Sequence, residues 1–290
     1  MKVLVTGAGG QVGWELQRRM DSDPDIELFA YPRTELDITD YKAVRQKLED
    51  IKPDWVINAA AYTAVEKAEE DEAKAHQINA EAVGKLAEMV KELGIRLLHI
   101  STDYVFDGDS SSSYIPTDDT NPLNIYGKSK LIGELQVMHA LEDDALVIRT
   151  GWVYSRHGHN FVKTMVKLMQ DRDSVSVIDD QVGSPTWANE FARVIAIAVK
   201  KDLRGIYHWT DAGVASWYDF AHAIHGMARH LGYVNGKVSV KAISSEEYKT
   251  KAKRPRNTVM CKRSIREATG YRGHHWRDTL YKMMKELKDV

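Results

Sequence analysis

Tyr126 and Lys130, in Tyr126-Gly-Lys-Ser-Lys130, set a phenol and an ammonium four residues apart, a spacing that puts both on one face of a helix. Such a pair can deliver a proton to an oxygen that gains negative charge, as a ketone does when hydride reaches it. The reference tyrosine pKa is about 10, and the spacing predicts that the lysine draws the phenol towards working pH while also reaching a nicotinamide ribose. Thr102, in Ser101-Thr102-Asp103, offers a hydroxyl to orient the carbonyl. The hydride source is implied by Gly7-Ala-Gly-Gly-Gln-Val-Gly13, which follows an apolar run and precedes a helical pattern. There Gly7 permits a tight turn, Gly10 leaves room for a pyrophosphate, Gly13 seats the helix on the strand, and the helix N-terminus supplies N–H donors. Together these residues spell nicotinamide-dependent carbonyl chemistry.

The acid that commonly takes the ribose hydroxyls about 20 residues further on is absent, because the sequence there reads Tyr31-Pro-Arg33. Arg33 suits a 2′-phosphate instead, with Asp37 and Ile38 bordering the adenine. The cofactor expected is NADPH, with NADH possible.

These groups need strand ends and helix starts to hold them. Short apolar runs at Val3–Val5, Ile26–Ala30, Trp55–Ile57, Leu97–Ile100 and Leu146–Ile148 alternate with helical patterns such as Ala80, Val83, Leu86, Ala87, Val90 and Leu93, closed by Gly94. Alternation of that kind implies a Rossmann-type, doubly wound parallel α/β sheet with right-handed crossovers. Pro122 marks the entry to a helix over Tyr126–Met138. Beyond Arg149 the pattern loosens into a helix over Asn160–Met169, a strand near Val175–Val177, helices over Ala188–Val199 and Ser216–Leu231, a strand at Gly205–His208 and a last helix over His275–Leu287. The expected division is a nucleotide domain over 1–150, to which later segments return, and a smaller, lid-like substrate domain drawn mainly from 151–290. The serine run in 109–113 reads as a flexible surface loop, in the first place a plain solvated turn and otherwise a segment that could close over substrate.

Composition narrows the partners. The 290 residues are 28% charged with a net charge of −2, so no chain-wide field invites nucleic acid or an anionic membrane. A small molecule is the expected partner. No apolar run approaches the roughly 20 residues of a membrane helix, and the start is too short for a signal-peptide core, so the chain reads as cytoplasmic. The single cysteine, Cys261, excludes an intrachain disulfide and a thiolate metal cluster and is given no role. His157-Gly-His159 and His274-His275 lack zinc spacing. In the basic run Lys249 to Arg256, Arg254 or Arg256 suits the diphosphate of a nucleotide sugar, since a guanidinium matches phosphate oxygens in bidentate fashion. Trp152, just past an apolar strand, offers a flat face to a sugar ring.

With its glycine loop, Tyr-x-x-x-Lys pair, Asn58-Ala-Ala-Ala-Tyr-Thr-Ala-Val65, Ser101-Thr-Asp-Tyr-Val-Phe106, Arg149-Thr-Gly-Trp-Val-Tyr154, Pro185-Thr186 and Arg254-Pro255, the chain resembles the extended short-chain dehydrogenase/reductases over nearly its whole length. Within them it is similar to the dTDP-4-dehydrorhamnose reductase family. The resemblance implies that Gly10, Gln11 and Val12 cradle the pyrophosphate, that Asp37 and Ile38 lie by the adenosine, and that Ala61, Tyr62 and Thr63 run along the cofactor. It implies Tyr126 as proton donor, Lys130 on the ribose, Thr102 and Asp103 on the sugar, and Trp152 lining the sugar pocket. The implied reaction reduces the C4 ketone of dTDP-4-dehydro-β-L-rhamnose, feeding surface polysaccharide assembly. Some members are homodimers bridged by Mg²⁺. Here Glu15 is kept, but Asn189 follows Pro-Thr-Trp-Ala with Glu190 one step on, so a homodimer is possible and no metal is expected. The competing readings are a cofactor-binding regulatory subunit like the methionine adenosyltransferase β subunit, against which the intact Thr102, Tyr126 and Lys130 argue, and a reductase or epimerase of another nucleotide sugar.

Overall fold

The apolar runs of the first half become the middle of one parallel sheet. In the computed structural model, which describes residues 1–287, strands β1 (Lys2–Thr6), β2 (Glu27–Tyr31), β3 (Trp55–Asn58), β4 (Arg96–Thr102) and β5 (Leu146–Thr150) alternate with helices α1 (Gln11–Met20), α2 (Tyr41–Ile51), α3 (Val65–Ala68), α4 (Glu72–His76), α5 (Ala82–Leu93) and α6 (Ile125–Leu141). The second half adds β6 (Val153–Tyr154), α7 (Phe161–Asp171), β7 (Ser174–Ile178), β8 (Val182–Gly183), β9 (Thr186–Trp187), α8 (Ala188–Lys200), β10 (Gly205–His208), β11 (Ala215–Ser216), α9 (Trp217–His230), β12 (Ser239–Ile243), α10 (Arg263–Thr269) and α11 (Trp276–Glu286). The sheet order is β10-β5-β4-β3-β1-β2, every pair parallel.

Burial on both faces explains the near-continuous apolar strands. Val3, Val5, Ile57, Leu98, Leu146 and Ile148 face α1 and α8, where Leu16, Met20, Phe191 and Ile195 meet them. Their neighbours Leu4, Val56, Leu97 and Val147 point the other way, onto Val44 and Leu48 of α2, Val83 and Leu86 of α5, and Val137 of α6. The two-residue side-chain period of a strand thus feeds two helix layers. A further core joins Tyr154, Val162, Met165, Val175, Phe220, Ile224, Trp276 and Met283 from β6, α7, β7, α9 and α11. Helix α9 opens on a capping box, Ser216 with Asp219.

Several local expectations are adjusted. The second strand runs Glu27–Tyr31, one residue later than its apolar run. Helix α2 fills one of the expected crossovers, α10 was not foreseen, and the helix expected from Ala80 begins earlier, as α4, passing through a π turn at Gln77–Glu81 before α5. The serine loop is anchored: Tyr114 Oη accepts from Gly108 N and Ser110 N at 3.0 and 3.1 Å, and Asn257 Nδ2 donates to the Ser110 carbonyl at 2.8 Å. These ties, one of them reaching Asn257 far along the chain, make it a pinned turn, closer to the plain solvated turn than to the closing loop that a serine-rich run also allows.

Candidate active site

The carboxyl ends of β1, β3, β4 and β5 open on one cavity of about 640 Å³, the place where open α/β sheets bind ligands. Gly10, Gln11, Val12, Ala61, Thr63, Thr102, Asp103, Tyr126, Lys130, Trp152 and Arg254 all line it. Gly7, Gly13, Arg33, Asp37, Ile38 and Tyr62 do not. Gly7 and Gly13 act beneath the floor: a Cβ on Gly7, whose φ is +69°, would lie 2.5 Å from Ala60 N, and one on Gly13 would lie 2.4 Å from the Gly7 carbonyl oxygen. The α1 N-cap, Gly10, brings no side chain to the first-turn N–H groups. Those donors are left for a ligand. Arg33 and Asp37 are paired with each other at 2.8 Å at the surface, with Arg33 66% exposed. Ile38 is buried in a small cluster with Ile78 and Ala82.

Helix α6 brings Tyr126 and Lys130 to the cavity. Asn124 caps it, accepting from Gly127 N at 2.8 Å, and its amide also donates to the Lys253 carbonyl at 2.8 Å, which ties the helix start to the basic loop. Gly127 is obligatory, since a Cβ there would meet the Tyr104 carbonyl oxygen at 2.3 Å. Asn79, buried in the π turn, accepts from Tyr62 N at 2.8 Å and donates to Ser129 Oγ at 3.0 Å. It fastens the Ala61–Thr63 wall to the catalytic-type helix.

The expected influence of Lys130 on Tyr126 is corrected. The Tyr126 hydroxyl is pushed up to about 12, chiefly by desolvation, with the Asp103 charge adding and a hydrogen bond with Thr102 opposing. Lys130 is turned elsewhere: Nζ donates to the Ile100 carbonyl at 2.7 Å and lies 3.2 Å from His99 Nε2. Desolvation lowers the lysine to about 8, against the pull of Glu134. A phenol held this firmly carries its proton at neutral pH, the state that protonates an alkoxide.

Asp103 is deeply buried, its carboxylate accepting from Thr102 Oγ1 at 3.1 Å and packed so closely on Gly151 that a Cβ there would lie 2.4 Å from Oδ2. Burial raises it to about 6, with hydrogen bonds from Thr258 and Thr102 opposing. The next residue, Trp152, adopts φ +52°. That left-handed backbone costs a β-carbon-bearing residue of order 1–3 kcal/mol and is held by its surroundings. One face of its indole is already covered by Trp217, stacked at 3.6 Å and 6°, and that face is closed to a sugar. Trp217, Tyr104 and His159 also line the cavity; Tyr104 lies within the Ser101–Phe106 phrase and His159 in the His157-Gly-His159 pair without either being assigned to the site, and Trp217 carries no motif that would have announced it.

Arg254 stands at a junction. It lines the main cavity and also a second, basic cavity of about 630 Å³ walled by Lys249, Lys251, Lys253 and Arg256. Its Nη2 donates to Glu66 at 2.7 Å. The second space is mixed in charge, since Asp107, Asp109 and Glu246 also line it, with the cations in excess.

Among the described residues no group of three or more His, Cys, Asp or Glu side chains comes together to hold a metal, and no helix is long and apolar enough to cross a membrane. Glu15 is buried and occupied: it accepts from Ser155 Oγ at 2.7 Å, Asn189 Nδ2 at 2.8 Å and Arg18 Nη1 at 3.0 Å.

Residues 1–289 match the family model described as the RmlD substrate binding domain. A dTDP-4-dehydrorhamnose reductase of Burkholderia thailandensis is 42% identical over 298 aligned residues, which cover 99% of each chain. Among solved structures, a dTDP-4-dehydrorhamnose reductase from Clostridium acetobutylicum superposes with a TM-score of 0.92 at 38% identity, covering 99% of this chain and all 100% of that one. The Bacillus anthracis dTDP-4-dehydrorhamnose reductase in complex with NADP gives 0.91 at 35% identity, covering 98% of this chain and 99% of that one.

Proposed function

The chain belongs to the RmlD family of dTDP-4-dehydrorhamnose reductases, and we propose from that premise how its own residues carry the reaction. The enzyme is an oxidoreductase that reduces the C4 ketone of dTDP-4-dehydro-β-L-rhamnose to dTDP-β-L-rhamnose, a precursor for surface polysaccharide, with NADPH as reductant. The observation that carries the site reading is the convergence of the glycine loop, Thr102, Tyr126, Lys130 and Trp152 on one cavity.

The residues fit the cofactor. The glycine floor would be filled by any Cβ, the first-turn N–H groups of α1 lack a side-chain cap, and Ser101 Oγ and Thr150 Oγ1 at the cavity edge have no partner. Gly10, Gln11 and Val12 hold the pyrophosphate against the α1 N-terminus, while Ala61, Tyr62 and Thr63 form the wall along it. NADPH, when bound, supplies the hydride. Arg33, free to leave its surface pairing with Asp37, meets the 2′-phosphate, and Asp37 and Ile38 lie towards the adenosine.

Tyr126 donates its phenolic proton to the C4 oxygen as charge develops there. Thr102, hydrogen-bonded to that phenol, aligns the ketone. Lys130 holds the ribose side. Trp152 offers its other face to the sugar, Asp103 stands below it, and Arg254 clamps the diphosphate at the mouth of the basic cavity. Residues 1–150 with the returning β10 make the cofactor half, and 151–290 supply most of the substrate half. A homodimer in the cytoplasm, with neither nucleic acid nor membrane as partner, completes the proposal.

Purified protein given enzymatically made dTDP-4-dehydro-L-rhamnose should oxidise NADPH, and Tyr126→Phe should keep NADPH affinity while losing about 10²–10⁴ in turnover. Cofactor binding without turnover on any 4-ketosugar nucleotide would overturn the reading.

A further inference from the structure

Beneath Lys130 runs a chain of buried polar groups with a fixed sense. Thr6 Oγ1 donates to Asn58 Oδ1 at 2.7 Å, and Ala60 N–H donates to the same oxygen at 3.2 Å. A backbone N–H can only donate. The amide oxygen of Asn58 must therefore face Ala60, which turns its NH₂ towards His99 Nδ1, 3.2 Å away. Nδ1 thus accepts. Desolvation, with the Lys130 charge adding, keeps His99 far below its usual range and so neutral, and a neutral imidazole that accepts at Nδ1 carries its proton on Nε2. Nε2 lies 3.2 Å from Lys130 Nζ.

An ammonium has three donors and no lone pair, so a charged Lys130 would set two donors face to face in the protein interior. An amine meets the same N–H with its lone pair. The geometry assigns His99 the role of a positioning residue: its Nε2 proton is offered to the Lys130 lone pair, which biases Lys130 towards the neutral amine in the cofactor-free protein, its own N–H on the Ile100 carbonyl. The other groups around Lys130 are compatible with this state. Tyr126 and Glu134 share its helix, and Arg149 of β5 neutralises Glu134 at 2.8 Å. Asp103 and Tyr104 follow β4, and Asn79 reaches only as far as Ser129. The depressed lysine, at about 8, agrees in direction.

The arrangement has a use if the reductase reading holds. Each turnover removes the Tyr126 proton, which must be replaced. An ordinary lysine, near 10.4, holds its protons too tightly to exchange one readily at neutral pH, whereas one biased by His99 can give up and recover a proton.

The protonation state itself is read without turnover, by competitive labelling of the cofactor-free protein with trace acetic anhydride between about pH 6 and 11, followed by mass spectrometry of the Lys130 peptide. The native midpoint should fall near 8. Asn58→Asp replaces the amide donor by an acceptor, forces the His99 proton onto Nδ1 and turns a lone pair towards Lys130; the midpoint should rise by about one pH unit or more, a tenfold loss of amine. His99→Gln keeps an acceptor for Asn58 and a donor for Lys130 and should restore the native value. His99→Met, which removes the donor without adding charge, should raise the midpoint by less, and Asn58→Asp should raise it less in the His99→Met background than in the native one, because only the through-space pull of its carboxylate then remains. Circular dichroism establishes folding, and His99→Met serves if Asn58→Asp does not fold. A native midpoint near 10.4, a His99→Met midpoint that does not rise, or an Asn58→Asp rise that is undiminished in His99→Met would overturn the assignment, whatever the reductase assay shows.

Discussion

Helix α6 is held to the sheet by a buried ion pair whose loss should be measurable without reference to catalysis. Arg149 Nε donates to both carboxylate oxygens of Glu134 at 3.1 Å and Nη2 donates to Oε2 at 2.8 Å, with the two side chains only 4% and 2% exposed. The guanidinium has few other supports: the Pro116 carbonyl at 3.3 Å, a contact with His208 Nε2 at 3.4 Å, and the Phe106 ring at 5.1 Å. Glu134→Gln keeps the shape and one acceptor but strands a buried positive charge, and one-sided breakage of such a pair costs about 3–5 kcal/mol. The retained carbonyl puts the expectation at the lower end, about 3 kcal/mol. Removing both charges together, as Glu134→Met with Arg149→Met, should be near neutral, because the cost of desolvating two ions offsets much of their attraction. Urea denaturation at pH 7.5 would give both values from the midpoints, provided the slopes agree. If Glu134→Gln stays within about 0.5 kcal/mol of the native protein, the range of an ordinary surface change, the pair does not anchor α6. A double variant no more stable than Glu134→Gln would equally refute the argument.

Three further outcomes are expected. Asp103 is raised from 3.8 to about 6 in the folded chain, so the native state binds this proton more tightly; its stabilisation is complete below the unfolded value and is lost as pH rises through about 6. The full difference is up to about 3 kcal/mol, and Asp103→Asn should flatten the stability profile between pH 4 and 6; an unchanged slope in urea titrations would contradict it. Gly183→Ala would bring a Cβ to 2.6 Å from Trp152 Cε2, and such overpacking, at about 1–3 kcal/mol, should displace the indole and raise the KM for the sugar nucleotide about tenfold while the NADPH Kd holds; a rise in Kd instead would show that Trp152 serves the cofactor. Arg33→Ala should lower kcat/KM for NADPH about tenfold or more and leave NADH unaffected, since a charge-assisted phosphate contact is worth about 1.5–3 kcal/mol; equal losses with both cofactors would remove Arg33 from that role.

The amino-acid sequence by itself determined what depends on local order. Strand ends, the Gly7-to-Gly13 turn and the one-turn spacing of Tyr126 and Lys130 are properties of short segments, so the parallel sheet and the cofactor loop were legible from apolar period and glycine placement. The motif phrases also carried the family. Contacts between distant segments were not legible, because a side chain's partner across a fold leaves no mark on its neighbours in sequence. Only the tertiary structure decided that Lys130 turns to His99 and Ile100 and so does not draw the phenol down, that Trp217 takes one face of Trp152, and that Arg254 joins two cavities. Burial is likewise a collective property. It is what holds Tyr126 at about 12 and Lys130 at about 8, values that spacing alone, reasoning from a solvated helix face, assigned the wrong direction for the tyrosine.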